Sequence, residues 1–115
     1  MSLTVEMITF DCSDPDTLAD WWAQATSGSV HPVVGGEFVV VGIQGGLRLG
    51  FQRVDEPTPG KNRVHVDFTV TDLEAEVSRL VGLGATETSR HEAPDFRWVV
   101  LADPAGNAFC VAAGH

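Results

Sequence analysis

Basic residues are scarce in this chain: seven Lys and Arg stand against sixteen acidic residues, for a net charge of −9, and none precedes Arg48. A nucleic-acid partner is not expected on that ground, because contact with phosphates requires clustered cations to displace counterions. The missing N-terminal positive charge also argues against a targeting leader. Apolar runs stay short, Phe38–Val41 and Trp98–Ala102 among them, whereas a helix needs about 20 such residues to cross a bilayer. No membrane partner is expected. Cysteine is limited to Cys12 and Cys110, 98 residues apart and without a CxxC pair. That usage points to reduced thiols in a cytoplasmic protein rather than to a disulfide framework. Also missing are a nucleophilic triad, a P-loop and a dinucleotide fingerprint; Gly35-Gly36 and Gly45-Gly46 precede no phosphate-cradling helix.

What is present suffices for a folded unit. The 115 residues are 43% hydrophobic, enough for one domain with a core. The chain also repeats itself. Strand-like alternation through Ile8 and Phe10 runs into Asp14-Pro15, and alternation through Val64, Val66, Phe68 and Val70 runs into Asp72-Leu73, 58 residues later. Asp14 and Asp72 are expected helix N-caps, with Pro15 in the first turn, where a missing N–H is harmless.

Leu18, Trp21, Trp22 and Ala25 then follow at helical spacing, as do Leu73, Val77, Leu80 and Val81, with Gly28 and Gly84 expected at the C-caps. Each helix is followed by strands: near Val30–Val34, Phe38–Val41 and Leu47–Val54 in the first half, and near Ala85–Arg90, Phe96–Ala102 and Ala108–Ala113 in the second. The last two are joined by the turn Asp103-Pro104-Ala105-Gly106-Asn107. The expectation is an α+β fold of two βαβββ modules, residues 1–56 and 62–115, joined by a proline-bearing linker over 55–61. Halves this small bury little core alone, so a single domain or a pairing of chains is expected.

In each first strand one face is apolar and is expected under the helix. The other carries His65, Asp67 and Thr69 in the second half and, at the same offset, Met7, Thr9 and Asp11 in the first. A face with His and Asp together suits a ligand or a metal better than a core.

The paired units, the strand-to-helix starts Phe10-Asp11-Cys12-Ser13-Asp14-Pro15 and Val70-Thr71-Asp72-Leu73, and the DPxGN turn at Asp103–Asn107 resemble the vicinal-oxygen-chelate superfamily. That group holds glyoxalase I, bleomycin-resistance proteins and extradiol dioxygenases; the segment from Lys61 to Val111 is most similar to its glyoxalase-like branch. The resemblance implies concave mixed sheets, a small organic ligand and a homodimer. It also implies four ligand positions, which fall on Met7, Gln52, His65 and Cys110 in this chain. Of these only His65 belongs to the His/Glu set that the superfamily uses for hard or borderline ions; a His/Cys/Met set suits copper(I) or zinc better.

The remaining candidates come from residue chemistry. His65 and Asp67 are candidates for general acid–base work or hydrogen bonding to a ligand. Trp98, Trp22 and Phe38 are candidates to line the cavity by stacking, Arg48 to contact an anion, and Gln52 to orient a ligand. Cys110 is either a thiolate ligand or a small buried residue. His31 and His91 are expected in solvated loops. His65, Asp67 and the terminal His115 also have the order of an iron-oxygenase facial triad, a chemistry of larger jelly-roll folds.

Two functional readings result. In the first, the protein binds a small organic molecule at a degenerate metal site, by sequestration or metal-free acid–base chemistry, and needs no cofactor. In the second, it is a metal-dependent lyase, isomerase or oxygenase of glyoxalase type, with a divalent metal on His65 and Cys110 or Gln52 as co-ligand. A purely structural interaction module is a third possibility.

Overall fold

The computed structural model describes residues 5–114. The chain divides into two units between Pro57 and Thr58, inside the proline-bearing segment. The first unit runs β1 (Ile8–Cys12), α1 (Pro15–Thr26), β2 (Ser29–Val34), β3 (Phe38–Gly42) and β4 (Arg48–Arg53). The second runs β5 (Val66–Thr69), α2 (Leu73–Leu83), β6 (Thr86–Glu92), β7 (Phe96–Ala102) and β8 (Ala108–Gly114). Each forms a four-stranded mixed sheet, ordered β1-β4-β3-β2 and β5-β8-β7-β6, whose first and last strands pair in parallel. No described helix is long and apolar enough to cross a membrane.

The helix starts are set by their caps. The Asp14 carboxylate accepts from the Thr17 backbone N–H at 3.2 Å and the Thr17 hydroxyl at 2.8 Å; Asp72 accepts from the Ala75 N–H at 3.1 Å. Each satisfies a donor that the first helical turn leaves unpaired. The ends differ from expectation. Gly84 closes α2 with φ at 120°, but the left-handed residue after α1 is Ser27, at φ 56°. Gly28 is needed for a different reason. A Cβ there would sit 2.7 Å from Val41 Cγ1 and 2.8 Å from the Gly42 carbonyl oxygen, so α1 could not join β2 this close to β3.

In the first module, Leu18, Ala19, Trp21 and Trp22 of α1 bury against Val39, Val41, Leu49 and Phe51. Phe10 lies 5.3 Å from the Phe51 ring and 5.6 Å from Trp22. The two tryptophans of α1 are both buried, edge to face at 5.0 Å. In the second module, Leu73, Val77 and Leu80 supply the helix side of a core that includes Val99, Leu101, Phe109 and Val111. Val64 and Val81, expected in that core, are exposed. Val64 precedes β5, which begins at Val66, and Val81 lies off the buried stripe of α2.

A local latch fixes the entry to β5. Asn62 accepts from the Ala108 N–H at 2.7 Å and donates to the carbonyls of Ala108 (3.1 Å) and Val64 (2.6 Å). The residues leading into β5 are thereby tied to the first residue of β8. The preceding turn is held by buried Asp103, whose carboxylate accepts from the backbone N–H groups of Ala105 and Asn107.

Candidate functional site

Parallel pairing of β5 and β8 places Asp67 beside Cys110. His65, just ahead of β5 and held there by the Asn62 latch, brings its Nε2 to 3.3 Å from Asp67 Oδ1. The ligand atoms of His65, Asp67 and Cys110 all lie within 4.8 Å of one another. The thiol is buried, while His65 and Asp67 are exposed, so the cluster opens to one side. Burial pushes the Cys110 thiol up from its ordinary value, and the Asp67 carboxylate facing it adds to the effect. The protein alone therefore holds this sulfur as a neutral thiol.

Antiparallel pairing continues the same face across the module. Asp67, Cys110, Val100 and Ser89 form one row, and Thr69, Ala112, Trp98 and His91 form the next. The His91 ring stacks on Trp98 with centroids 5.0 Å apart and planes 20° apart; Phe96 meets the same indole at 5.2 Å and 30°. The Ser89 hydroxyl lies 2.8 Å from His91 Nε2. A groove of about 310 Å³ is lined by Trp98 and His91 together with Glu74, Arg90 and Arg97. Arg90 is committed to Glu74 at 2.6 Å and to Glu87 at 2.7 Å and 3.0 Å. His91, Phe96 and Ser89 were missed by sequence reasoning. His91 was expected in a loop, because the polar stretch Thr86–Glu92 lacks the apolar alternation that marks a half-buried strand. His31 is likewise in a strand, β2, and exposed.

The first module breaks the symmetry. First strands and caps keep the 58-residue offset, but the last hairpins are offset by 60: Val40 pairs with Gly50 as Val100 pairs with Cys110, and Gly50 lies beside Thr9 as Cys110 lies beside Asp67. The cause is the longer second hairpin, in which β6 and β7 have seven residues each against six and five in β2 and β3. The counterpart of Cys110 is therefore Gly50, not Gln52, which sits one row further on beside Asp11 and Phe38. A Cβ on Gly50 would come within 2.8 Å of both Met7 Sδ and Thr9 Oγ1 and within 3.3 Å of Phe38 Cε1. Met7 and Phe38 thus cover this spot with apolar atoms.

Two further expectations are corrected. Trp22, at 1% exposure, is wedged against Phe10 on the helix side of its sheet and meets no ligand on the opposite face. Arg48 is engaged by the Glu6 carboxylate and is not a waiting anion contact. Cys12 is a buried structural residue whose thiol points at the Gln52 carbonyl, 3.7 Å away. His115 lies outside the described residues.

These residues do not fit the hard divalent ion that the resemblance implies. Manganese or iron asks for several oxygen and imidazole donors. The first module offers Met7 and a glycine at the corresponding positions, and Cys110 replaces a carboxylate in the second.

The glyoxalase-like domain family model matches residues 7–112. No curated protein matches significantly. Among solved structures, the genomically encoded fosfomycin resistance protein FosX of Listeria monocytogenes, in a variant complexed with Mn(II) and 1S,2S-dihydroxypropylphosphonic acid, superposes with a TM-score of 0.82. It is 16% identical over 100% of this chain and 93% of its own. A glyoxalase/bleomycin-resistance/dioxygenase domain from Frankia sp. EAN1pec gives 0.75, at 22% identity over 99% and 100%. Lactoylglutathione lyase from Agrobacterium tumefaciens gives 0.72, at 17% identity over 97% and 94%. At these identities the likeness concerns the fold.

Proposed function

Because the chain belongs to the glyoxalase-like domain family, we propose that it binds a small organic molecule on the open sheet face of its second module, at a site where the hard-metal centre has degenerated. The observation that carries this reading is the three-ring strip His91–Trp98–Phe96, one sheet row from the polar cluster His65–Asp67–Cys110. A flat strip of rings accepts a planar or partly apolar body, and nearby polar groups orient it, which is how small-molecule sites divide affinity from specificity. The small side chain of Ala112, between Thr69 and Trp98, keeps the floor of that row low. With a net charge of −9 and Glu74, Glu87 and Glu92 on the neighbouring elements, a neutral or cationic ligand is favoured over a polyanion.

The pair His65–Asp67 adds a chemical capacity. A His65 ring donating Nε2–H to Asp67 leaves Nδ1 as an acceptor, able to take a proton from a ligand hydroxyl or carbon acid without a metal. A homodimer, implied by the resemblance, remains part of the proposal and is measured by light scattering. The test of the reading is a screen of planar small molecules by calorimetry on the wild type and on Trp98→Ala. Loss of the ring should weaken a hit about three- to tenfold, the worth of one aromatic contact. Hits indifferent to Trp98→Ala and to His65→Ala would overturn the proposal.

A further inference from the structure

The sheet of the second module has two faces, and the ring strip occupies only one. Successive side chains of a strand alternate between faces, so along β7 Arg97 and Val99 point away from Phe96 and Trp98. Buried Val99 and the bond from Arg90 to Glu74 of α2 mark that second face as the helix side. On β6, Arg90 and Glu92 share it, opposite Val99 and Arg97. The groove of about 310 Å³ reaches this side, between the first turn of α2 (Leu73, Glu74) and the β6–β7 hairpin. Its volume is at the small end of ligand pockets, about 300–1,000 Å³.

The two arginines there differ in how they are engaged. Arg90 spends its guanidinium on both oxygens of Glu87 and on Glu74. Arg97 has no such partner. Its nearest carboxylate, Glu74, is 3.9 Å away, beyond hydrogen-bond reach, and is already taken by Arg90 at 2.6 Å. The Arg97 Nε is buried and meets no acceptor among the described residues, an arrangement that costs stability until an acceptor arrives. The side chain is 41% exposed, so its outer N–H groups are open to an entering group. A guanidinium is a planar fork of donors that matches a carboxylate in two parallel hydrogen bonds.

We propose that this helix-side groove binds a small monocarboxylate, with Arg97 as the anion contact. The carboxylate takes the outer N–H groups, and a turn of the guanidinium plane toward the groove brings Nε to the same anion. The apolar body of the acid lies toward Leu73 and Val99, which line the groove. Glu74, Glu87 and Glu92 stand around the two arginines, so further negative charge on the ligand is repelled. The site is separate from the organic-ligand site of the open face. His91 and Trp98 border the groove, but their stacked rings face the other way, and His65, Asp67 and Cys110 take no part.

The test is a titration of the isotope-labelled full chain with sodium butyrate at fixed ionic strength, followed by NMR. Butyrate has no ring to stack on Trp98. Saturable shifts are expected at the backbone amides of Glu74, Glu92 and Arg97 and at the Arg97 Nε–H, at the millimolar concentrations that so small a ligand requires. Butyramide, of the same shape but uncharged, and citrate, a polyanion, should give no saturable shifts there. Arg97→Gln should weaken butyrate binding about tenfold or more, and Arg97→Lys, which keeps the charge but loses the fork, about threefold. Trp98→Ala should leave butyrate binding unchanged, so failure of the ring-strip site and failure of this one are told apart. If Arg97→Gln does not fold, the wild type decides through butyrate against butyramide. Absence of saturable shifts, butyramide binding as well as butyrate, undiminished binding in Arg97→Gln, or shifts confined to the open face would each overturn the proposal.

Discussion

Removing the Asn62 side chain tests whether the segment carrying His65 is held by the latch. In the wild type its amide makes two hydrogen bonds to the backbone of Ala108, a residue 9% exposed, and a third to the Val64 carbonyl in a solvated setting. A net hydrogen bond is worth about 0.5–1.5 kcal/mol, and leaving a buried donor unpaired costs about 1–3 kcal/mol. Counting only the two bonds to Ala108, Asn62→Ala should destabilise the protein by about 1–3 kcal/mol. For a chain of this size that lowers Tm by roughly 4–12 °C. Asn62→Asp keeps the acceptor for the Ala108 N–H but turns an oxygen toward two carbonyls, so it should be at least as damaging. Urea denaturation with an unchanged m-value is the assay, and NMR of the His65 ring protons reports on the site itself. A loss below about 0.5 kcal/mol, with unmoved His65 resonances, would show that something other than the latch positions the histidine.

Other consequences stem from particular contacts. Trp22→Ala should cost about 3–5 kcal/mol, as loss of a buried ring does, yet leave the affinity of surviving folded protein for a ligand unchanged, as calorimetry would show. Gly28→Ala should destabilise by about 1–2 kcal/mol through its clash with the Gly42 carbonyl, whereas Ser27→Gly should stabilise by up to about 1 kcal/mol by relieving a left-handed backbone; paired thermal melts decide. Arg90 holds the Glu74 and Glu87 carboxyls below the ordinary glutamate range. Their stabilisation is therefore complete above about pH 4.3 and lost as pH falls through the lowered values; the acid limb of a Tm-against-pH curve should flatten in Arg90→Ala. Burial, and secondarily Asp67, keeps the Cys110 thiol protonated, so folded protein at mildly alkaline pH should alkylate there more slowly than free cysteine, and faster in Asp67→Asn.

Much of the architecture was legible. Alternation through Ile8–Phe10 and Val66–Phe68 is a local pattern even though these strands pair with distant ones, and the aspartate caps at 14 and 72 and the Asp103–Asn107 turn are made by local hydrogen bonds. Register was less so. A constant offset of 58 aligns caps and first strands, but the extra length of the β6–β7 hairpin slips the last strands by two residues, enough to exchange Gln52 for Gly50. Nothing in a linear pattern announces where a hairpin lengthens. The polar strand β6 was legible only in part because an edge strand with two wet faces has no apolar period; His91 was lost for that reason. Trp22 misled as a candidate cavity residue because helical spacing tells which residues share a face, not how wide the buried stripe is.

The most direct test of the account is an NMR map of ligand contacts on labelled protein, using the best hit from the planar-molecule screen. Binding at the second module's face should give shifts that cluster on Asp67, Ala112, His91 and the Trp98 indole, with Met7, Gly50 and Phe38 quiet. Shifts centred on the first module's face, or scattered over both without Trp98, would contradict it.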